Sequence, residues 1–322
     1  MIDYNRIFHI EIRFYFSLIL TFSLLCFSSC SFSEKKDPFS FKESKNGVDL
    51  YEDMRPVFFY QREPKVLSGQ YVCNNYLHPL YSLSGDTLTE ESPADHPYHR
   101  GIYWAWHQIY INDQSIADGW VMENLSHEII KLKTGLTKST AQLTADVLWK
   151  SAAWQNGAPF ANERVIILVH RKHKDFRIID FEIRLRALTT GISIGGSDDE
   201  KGYGGFCTRI KLPDDIKFTS ENGPVIPQNL QIEAGPWMDF SGSFGRDGTK
   251  SGLTIICDPQ TPNYPAPWIL RKEGSMQNVV YPGRQRVSLP MDNDLVLKYR
   301  MVIHETEMKN IKIDQLIEKN KF

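Results

Sequence analysis

The stretch Ile179-Asp180-Phe181-Glu182-Ile183-Arg184-Leu185-Arg186 decides the fold class. Apolar side chains alternate with charged ones along it, and this period of two is typical of a strand with one buried and one solvated face. The stretch 295–303 repeats the alternation with Leu295, Leu297, Tyr299, Met301 and Ile303. We therefore expect both stretches to be half-buried β-strands.

Other segments extend this pattern through the chain. Residues 143–149 and 253–257 have the apolar content of strands, and the continuous apolar run 164–170 is typical of an inner strand. Glycine-containing turn signals separate these segments. The sequence therefore predicts one large antiparallel β-sandwich over residues 48–305, and only the tail, residues 306–322, has the pattern of a short closing helix.

Composition excludes several classes of protein. The chain has 322 residues, of which 41% are hydrophobic and 24% charged, and its formal net charge is −2. It has no long basic run, so a nucleic-acid partner is not expected. The apolar content excludes intrinsic disorder for most of the length. Only one stretch is apolar enough to enter a bilayer, which excludes a membrane protein with several spans.

That stretch, residues 14–27, follows Arg6 and Arg13 and has the length of a signal-peptide core. It ends in Phe27-Ser28-Ser29-Cys30, which resembles a bacterial lipobox. The sequence thus predicts a signal peptide over residues 1–29 and a lipid on Cys30, with a polar tether through residue 47. An ordinary signal peptide cut near Ser29 is the alternative. We expect export, with the lipid as the only membrane contact.

Export leaves three cysteines, Cys73, Cys207 and Cys257, for the folded domain. An odd number permits at most one disulfide, and no CxxC pair is present. All three lie in apolar, strand-like surroundings. Buried thiols are therefore favoured over a disulfide, and no catalytic cysteine is indicated.

Histidines concentrate in one short window. Four of the nine fall between residues 76 and 107, namely His78, His96, His99 and His107. Imidazole donates or accepts a proton near neutral pH, which suits acid–base catalysis. Arg100 adds a fixed cation that is able to hold a carboxylate in a bidentate pair. The window is therefore the candidate site.

The stretch 103–111 alternates as a strand, so His107 shares a face with Tyr103 while Trp104 and Trp106 point the other way. Imidazoles, a guanidinium and indole faces together suit a sugar. Hydrogen-bonded structural histidines are the alternative interpretation. His96-Pro97-Tyr98-His99 has an HxxH spacing, but Pro97 interrupts it and no matched ligand set stands beside it. The sequence therefore predicts no metal and no cofactor.

The elements His78-Pro79-Leu80-Tyr81 and Asp95-His96-Pro97-Tyr98-His99-Arg100-Gly101 resemble the signature of a bacterial family labelled "methane oxygenase PmoA-like". The resemblance continues in order through Lys201–Phe206, Arg209, Trp237-Met238-Asp239, Asp258-Pro259, Trp268, Arg271, Tyr299-Arg300 and His304. The family's Asn-Pro-Phe element appears only as Gln277-Asn278-Val279-Val280, so that edge of the site departs from the family pattern.

The oxygenase label does not fit, because particulate methane monooxygenase has several membrane spans. The resemblance instead implies a secreted or lipid-anchored protein of glycan-degrading bacteria, with a fold similar to the galactose-mutarotase-like supersandwich. The family also looks like the one containing a dehydratase that acts on uronic-acid-ended oligosaccharides from ulvan. An acidic oligosaccharide is therefore the expected partner.

Eliminating water from a uronic acid requires removal of the C5 proton and loss of the C4 hydroxyl. A cation must neutralise the carboxylate, for which we expect Arg100. We expect His96 or His99 as the base and His78 or Tyr203 as the acid. The substrate-binding candidates are Trp104, His107, Arg209, Trp237, Asp239 and Arg271.

Two other function classes stay open. A sugar epimerase or hydrolase is possible on the same fold, although hydrolysis requires two opposed carboxylates and the sequence shows no local pair. A non-catalytic glycan-binding lipoprotein would need only the aromatic residues. The histidine cluster argues against pure binding, because sugar binding seldom requires several titrating groups.

Overall fold

The computed structural model describes residues 37–305 together with Ile313 and Leu316. The predicted signal peptide (1–29) and the predicted lipidation site Cys30 lie outside the described residues. So does the predicted C-terminal helix (306–322), apart from those two positions. Within the described part of the chain, no helix is long and apolar enough to cross a membrane.

The described chain is built almost entirely from β-strands. In chain order, the first twelve are β1 Phe39–Glu43, β2 Gly47–Glu52, β3 Arg55–Gln61, β4 Lys65–Leu67, β5 Tyr71–Cys73, β6 Tyr76–Leu80, β7 Ile102–Trp106, β8 Gln108–Ile111, β9 Gln114–Ala117, β10 Ser126–Leu136, β11 Thr140–Lys150 and β12 Pro159–His170. The remaining strands are β13 Phe176–Ala187, β14 Ile192–Gly195, β15 Gly204–Thr208, β16 Lys217–Ser220, β17 Gly223–Pro224, β18 Trp237–Gly242, β19 Ser251–Cys257, β20 Trp268–Ile269, β21 Gln277–Val280, β22 Val287–Ser288 and β23 Leu295–His304. A short 3-10 turn, Gln155–Gly157, lies between β11 and β12.

These strands form four sheets. The eight-stranded front sheet has the order β1-β2-β3-β6-β7-β15-β21-β20, and the nine-stranded back sheet has the order β10-β11-β12-β13-β23-β19-β18-β16-β17. A four-stranded corner sheet has the order β22-β14-β8-β9, and β4 with β5 forms a separate hairpin.

The two stretches with the clearest alternation lie side by side in the back sheet. β13 pairs antiparallel with β23, and Phe181 stands opposite Tyr299. The apolar members of both strands, Ile179, Phe181, Ile183, Leu185, Leu297, Tyr299, Met301 and Ile303, are fully buried. The period of two therefore predicted both strands correctly, but the expected solvated face is confirmed only for β13. In β23, Leu295 is half-buried, and Arg300, Val302 and His304 on the opposite face are buried as well.

Aromatic rings join the two large sheets. Phe206 of the front sheet stacks on Tyr299 of the back sheet at a centroid distance of 4.5 Å, and its centroid lies 5.2 Å from that of Phe181. Burying a side chain of this size stabilises a fold by about 1.5–3 kcal/mol. The prediction of an antiparallel β-sandwich is confirmed.

The segments 143–149, 164–170 and 253–257 lie within β11, β12 and β19, as predicted. The run 164–170 differs from the expected fully buried strand. Val165, Ile167 and Val169 are buried, whereas Ile166 and Leu168 are only half-buried. β12 is central in its sheet, but its outer face is partly solvated.

The predicted tether ends earlier than residue 47. Phe39–Glu43 forms β1, which pairs with β2 at the edge of the front sheet. Phe39 is buried in the core, and an anchored aromatic ring of this kind makes the segment part of the fold. The prediction of buried, unpaired thiols is confirmed for Cys73, Cys207 and Cys257.

The stretch 103–111 is not one strand. β7 ends at Trp106 and pairs with β15 in the front sheet, whereas β8 begins at Gln108 and pairs with β14 in the corner sheet. His107 is the residue between them. The chain therefore turns from one sheet into another at a histidine of the candidate window.

Candidate functional site

The alternation of β7 sorts its aromatic side chains between the two faces of the front sheet. Trp104 donates its indole N–H to Glu163 of β12 at 2.7 Å, and the ring centroid of Trp106 lies 5.7 Å from that of Trp149 of β11. Both indoles therefore face the interior between the sheets, and Tyr103 lies on the opposite face of the strand, as predicted, where other rings bury it. The expectation that Trp104 lines a substrate groove is not supported, because its side chain is buried in this interior.

His107 forms a dyad with a carboxylate. Its Nδ1 lies 2.8 Å from Asp118 Oδ2, and Asp118 Oδ1 accepts the backbone N–H of Trp120 at 2.8 Å. A carboxylate on Nδ1 fixes the tautomer and leaves Nε2 as the nitrogen able to take a proton. Both side chains are partly exposed, so His107 has the arrangement of a general base.

Trp120 is the centre of an aromatic group on the outer face of the front sheet. We call this group the Trp120 cluster. Its ring centroids lie between 5.0 and 6.1 Å from that of Trp120, and its other members are His99, Tyr103, His107 and Tyr203. Of these five, only His107 and Tyr203 are partly exposed, so they are the members that a ligand is able to reach.

Tyr203 is held by a guanidinium. Arg271 donates to the Tyr203 hydroxyl at 2.5 Å, and its carbon Cζ lies 5.6 Å from the ring centroid. Lys201 Nζ lies 5.7 Å from the same ring. Among residues 37–305, no carboxylate lies within 4 Å of the charged groups of Lys201 or Arg271. The phenol therefore stands beside two cations that have no ion-pair partner in the described chain.

His96 and Asp95 form a second imidazole–carboxylate pair. His96 Nδ1 lies 2.8 Å from Asp95, which also accepts two hydrogen bonds from Arg209 at 2.8 and 2.9 Å. Partial burial acts to raise the pKa of Asp95, but the hydrogen bonds from His96 and Arg209 outweigh it and lower the pKa to about 2. Arg209 also binds Glu90, so its charge is neutralised within the fold.

His99 stacks on His96 at a centroid distance of 4.6 Å and is only 1% exposed. Its Nδ1 is buried without a hydrogen-bond partner in the described chain. Burial, together with the charges of the neighbouring Arg209 and Arg100 guanidiniums, lowers the pKa of His99 to about 2. An imidazole that resists protonation so strongly is a poor general base, and it serves here as packing for Trp120.

The structure gives Arg100 a different role from the predicted one. Its guanidinium is 1% exposed and donates to the carbonyls of Tyr98, Gly119 and Trp120 at 3.1–3.3 Å. It also lies 4.5 Å from the Tyr103 ring centroid. It therefore fastens the turn that carries Asp118 and Trp120, and it does not face open solvent where a carboxylate would bind.

His78 lies apart from the Trp120 cluster. Its Nδ1 is 3.0 Å from Thr89 Oγ1, and it lines a separate cavity of about 470 Å³. Burial lowers the pKa of His78 to about 4. The structure thus brings together His96, His99, His107, Tyr203 and Arg271, but it leaves His78 in a neighbouring position.

Trp237 and Asp239 lie on the back sheet, away from the histidine window. Trp237 packs against Ile256 and Val302. Asp239 is buried, lies 2.8 Å from His304 Nε2 and lines a different cavity of about 490 Å³. Both residues belong to the outer face of the back sheet, so the structure does not join them to the Trp120 cluster.

Sequence reasoning missed Asp118 and did not recognise Trp120 as the centre of the site. Asp118 is eleven positions after His107 and follows the β8–β9 hairpin, in which Ile109 stands opposite Ala117. Reading Asn112-Asp113 as a hairpin turn would have placed residues 107 and 118 near one another. Among the described residues, no group of three or more His, Cys, Asp and Glu side chains is arranged to hold a metal ion.

Taken together, this surface offers an oriented imidazole, a phenol beside two cations, and a second imidazole. Such a set is able to move protons on a bound anion. A sequence model of a family described as a family of unknown function (DUF6807) matches residues 47–318. A search of curated proteins found no match to the chain.

Proposed function

The chain belongs to this family of unknown function, DUF6807, so we propose its activity from the chemistry of the Trp120 cluster. We infer a hydro-lyase that removes water from the uronic-acid end of an acidic oligosaccharide of the ulvan type. One observation carries the proposal. His107 and Tyr203, the two exposed members of the cluster, both contact Trp120 and are each held by a charged partner.

The proposed reaction uses these two groups for the two proton transfers. His107 Nε2 takes the C5 proton, and Asp118 stabilises the imidazolium that forms. The electron pair of the broken C5–H bond forms the C4–C5 double bond. The C4–O bond breaks, and the hydroxyl leaves as water with the proton of Tyr203. Arg271 stabilises the resulting phenolate until solvent returns a proton to it, and the His107 imidazolium releases the C5 proton to solvent, so that both groups regain their starting state.

Lys201 and Arg271 are the proposed partners of the substrate carboxylate. The C5 proton is weakly acidic until the charge next to it is neutralised, so a cation is required at this point. Neither side chain has an ion-pair partner in the described chain, and both are only half-buried. Arg100 is buried, and the charge of Arg209 is already paired with Glu90 and Asp95. The Arg271 guanidinium also donates to the carbonyls of Gln228, Leu270 and Asn229, so Lys201 is the less occupied of the two cations. This replaces Arg100, the residue expected from the sequence, as the carboxylate-binding group.

His96 is a second candidate for the base. Asp95 holds its Nδ1 as Asp118 holds that of His107, and its ring is partly exposed. Its ring stacks on His99 and not on Trp120, which places it further from Tyr203 in the chain of ring contacts. We therefore assign His96 to substrate binding at the rim of the site.

The test is the ultraviolet absorbance of the unsaturated uronate. Purified full-length protein is incubated with uronate-ended oligosaccharides from degraded ulvan. A rise in absorbance without shortening of the oligosaccharide supports the proposal. A rise with shortening shows a chain-cleaving lyase instead, and no rise with any of the oligosaccharides contradicts the elimination.

The variant Tyr203→Phe separates chemistry from binding. Loss of the phenolic proton removes the proposed acid, so we expect the rate to fall by about 10²-fold or more. Tyr110→Phe is the matched control, because Tyr110 lies on the corner sheet against Arg286. Equal rates in wild type and Tyr203→Phe would remove Tyr203 from the mechanism.

A further inference from the structure

The cavity that contains His78 lies on the same face of the front sheet as the Trp120 cluster. Leu77 of β6 stands opposite Ile102 of β7, and both side chains are buried in the core. The next residue of β6, His78, therefore points to the outer face, as Tyr103 does on β7. Adjacent strands are about 4.8 Å apart, so the cavity and the cluster are neighbours.

The charges of this cavity cancel. Its volume is about 470 Å³, and apart from His78 the acidic and basic side chains that line it are Lys65 and Glu91, which form an ion pair. Glu91 also accepts the Tyr76 hydroxyl at 2.6 Å. His78 is neutral at physiological pH because burial lowers its pKa to about 4. The cavity thus differs from the surface at Lys201 and Arg271, where two cations lack an ion-pair partner in the described chain.

The uncharged lining combines fixed polar groups with apolar faces. The Gln61 amide donates to the carbonyls of Asn46 at 3.3 Å and Glu63 at 2.6 Å, which fixes its orientation. His78 uses Nδ1 toward Thr89 and so keeps Nε2 as its second polar atom. The Phe59 ring and Pro64 supply apolar surface. Few fixed polar groups among apolar faces are typical of a small-molecule site.

We propose that this cavity binds a neutral sugar residue of the oligosaccharide whose uronate lies at the Trp120 cluster. A pyranose presents hydroxyl groups for Gln61 and His78, and it presents C–H faces for Phe59. A carboxylated or sulfated residue would meet no unpaired cation there and would lose hydration without compensation. The inference rests on the proposed function in one respect, namely that the substrate is an oligosaccharide.

The test uses NMR to detect ligand binding separately at His78 in the cavity and at His107 in the Trp120 cluster. The imidazole C–H resonances of the full-length protein are recorded, and those of His78 and His107 are assigned from the spectra of His78→Gln and His107→Gln. The neutral probes are methyl xyloside, methyl glucoside and methyl galactoside, and the acidic probe is glucuronate. We expect at least one neutral probe to shift the His78 resonance without shifting that of His107, and glucuronate to leave His78 unchanged.

Two variants localise the binding. Gln61→Leu removes the fixed amide, and Phe59→Ala removes the aromatic face. Each substitution is expected to lower the affinity for the neutral glycoside at least tenfold. The matched control is Gln142→Leu, because Gln142 is exposed on β11 of the back sheet. This control is expected to change the affinity less than twofold. Folding of each variant is checked by its unfolding midpoint.

The outcomes distinguish this inference from the proposed function. A neutral glycoside that shifts His78 supports the cavity even if no unsaturated uronate forms, in which case only the elimination fails. Ultraviolet activity without any response of His78 to the three neutral glycosides overturns the cavity and leaves the elimination standing. A His78 shift with glucuronate also overturns the inference, because the cavity would then accept an acid.

Discussion

Asp118 is the residue on which the proposed base depends. We expect Asp118→Asn to lower kcat by about 10²–10⁴-fold, because an amide N–H directed at Nδ1 favours the tautomer whose Nε2 carries the proton. Turnover is measured by the ultraviolet assay, and KM is expected to change little. Asp113→Asn in the exposed β8–β9 turn is the control. Full activity of Asp118→Asn would exclude the His107–Asp118 dyad as the base.

Glu163 is a second residue whose environment makes a sharp prediction. It is fully buried and accepts hydrogen bonds from Asn75, Trp104 and Trp149, each at 2.7 Å. Burial raises the pKa of Glu163, although these three donors act to lower it. In Glu163→Gln an amide N–H must face another donor, and we expect a loss of about 2–4 kcal/mol in unfolding free energy.

Urea denaturation measures this loss. Glu128→Gln is the control, because Glu128 is exposed on β10 and its ion pair with Lys150 is at the surface. Exposed pairs contribute about 0–1 kcal/mol. A Glu163→Gln protein as stable as Glu128→Gln would show that the three donors do not need the carboxylate.

Single residues also show where sequence reasoning stops. The proximity of His96 and His99 was predictable, because only three positions separate them. That of His107 was not, because eleven residues of extended chain are able to span more than about 30 Å. The direction of Arg100 was not, because two of its three carbonyl partners, Gly119 and Trp120, belong to a turn 19 and 20 residues away. Trp237 and Asp239 were expected at the site because the resemblance lists their motif after that of the histidine window. The order of motifs along the chain does not tell which sheet of a sandwich carries each of them.

At the scale of elements, the contact between β6 and β7 depends on Gly101. Its φ is +57°, and a Cβ placed there would lie 2.0 Å from the Leu77 carbonyl oxygen and 2.8 Å from His78 Cβ. We expect Gly101→Ala to destabilise the protein by more than about 3 kcal/mol, since both backbone strain and a clash with main chain oppose it.

The control for this substitution is Gly135→Ala. Gly135 lies on the exposed edge strand β10, and a Cβ there would have nothing within 4 Å. Its replacement is expected to change the unfolding free energy by less than about 0.5 kcal/mol. If urea denaturation gives the same midpoint for both variants, the prediction that β6 lies too close to residue 101 to admit a Cβ is contradicted.

Elements with a strong local pattern were predictable, and those set by distant pairing were not. β13 and β23 follow from the alternation of residues 179–186 and 295–303, a period that is typical of strands. The break at His107 does not appear in the local pattern, because it depends on β7 pairing with β15 and β8 with β14. β1 was missed because its polar residues lie on a solvated edge.

At the scale of the whole molecule, buried neutral histidines make stability depend on pH. The pKa is lowered from 6.5 to about 4 in His78, about 2 in His99 and about 3 in His127, mainly by burial. As the pH falls, these imidazoles therefore bind protons in the unfolded chain before they do so in the native fold. Their stabilising contribution is complete above pH 6.5 and is lost as the pH falls toward these folded values.

Each of these histidines contributes a slope of about 1.4 kcal/mol per pH unit between about pH 6 and 4.5. We expect His127→Phe to remove one such slope, and to leave stability at pH 8 unchanged or higher. Both His127 nitrogens are buried without a hydrogen-bond partner in the described chain, so their loss leaves no donor unsatisfied.

Urea midpoints at several pH values measure the slope. His173→Phe is the control, because His173 is exposed and its replacement should leave the slope unchanged. An unchanged slope in His127→Phe would mean that this imidazole becomes protonated in the native state.

The turn of the chain at His107 has a consequence for how the sugar specificity of such a site is able to change. The residues before and after His107 are clamped in ladders of two different sheets, so amide hydrogen exchange there should require global opening. The proposed base is thus preorganised by the scaffold itself. Lys201 and the loop carbonyls around Arg271 stand outside those ladders. Insertions there would change which sugar is held, while the His107–Asp118 base stayed in place.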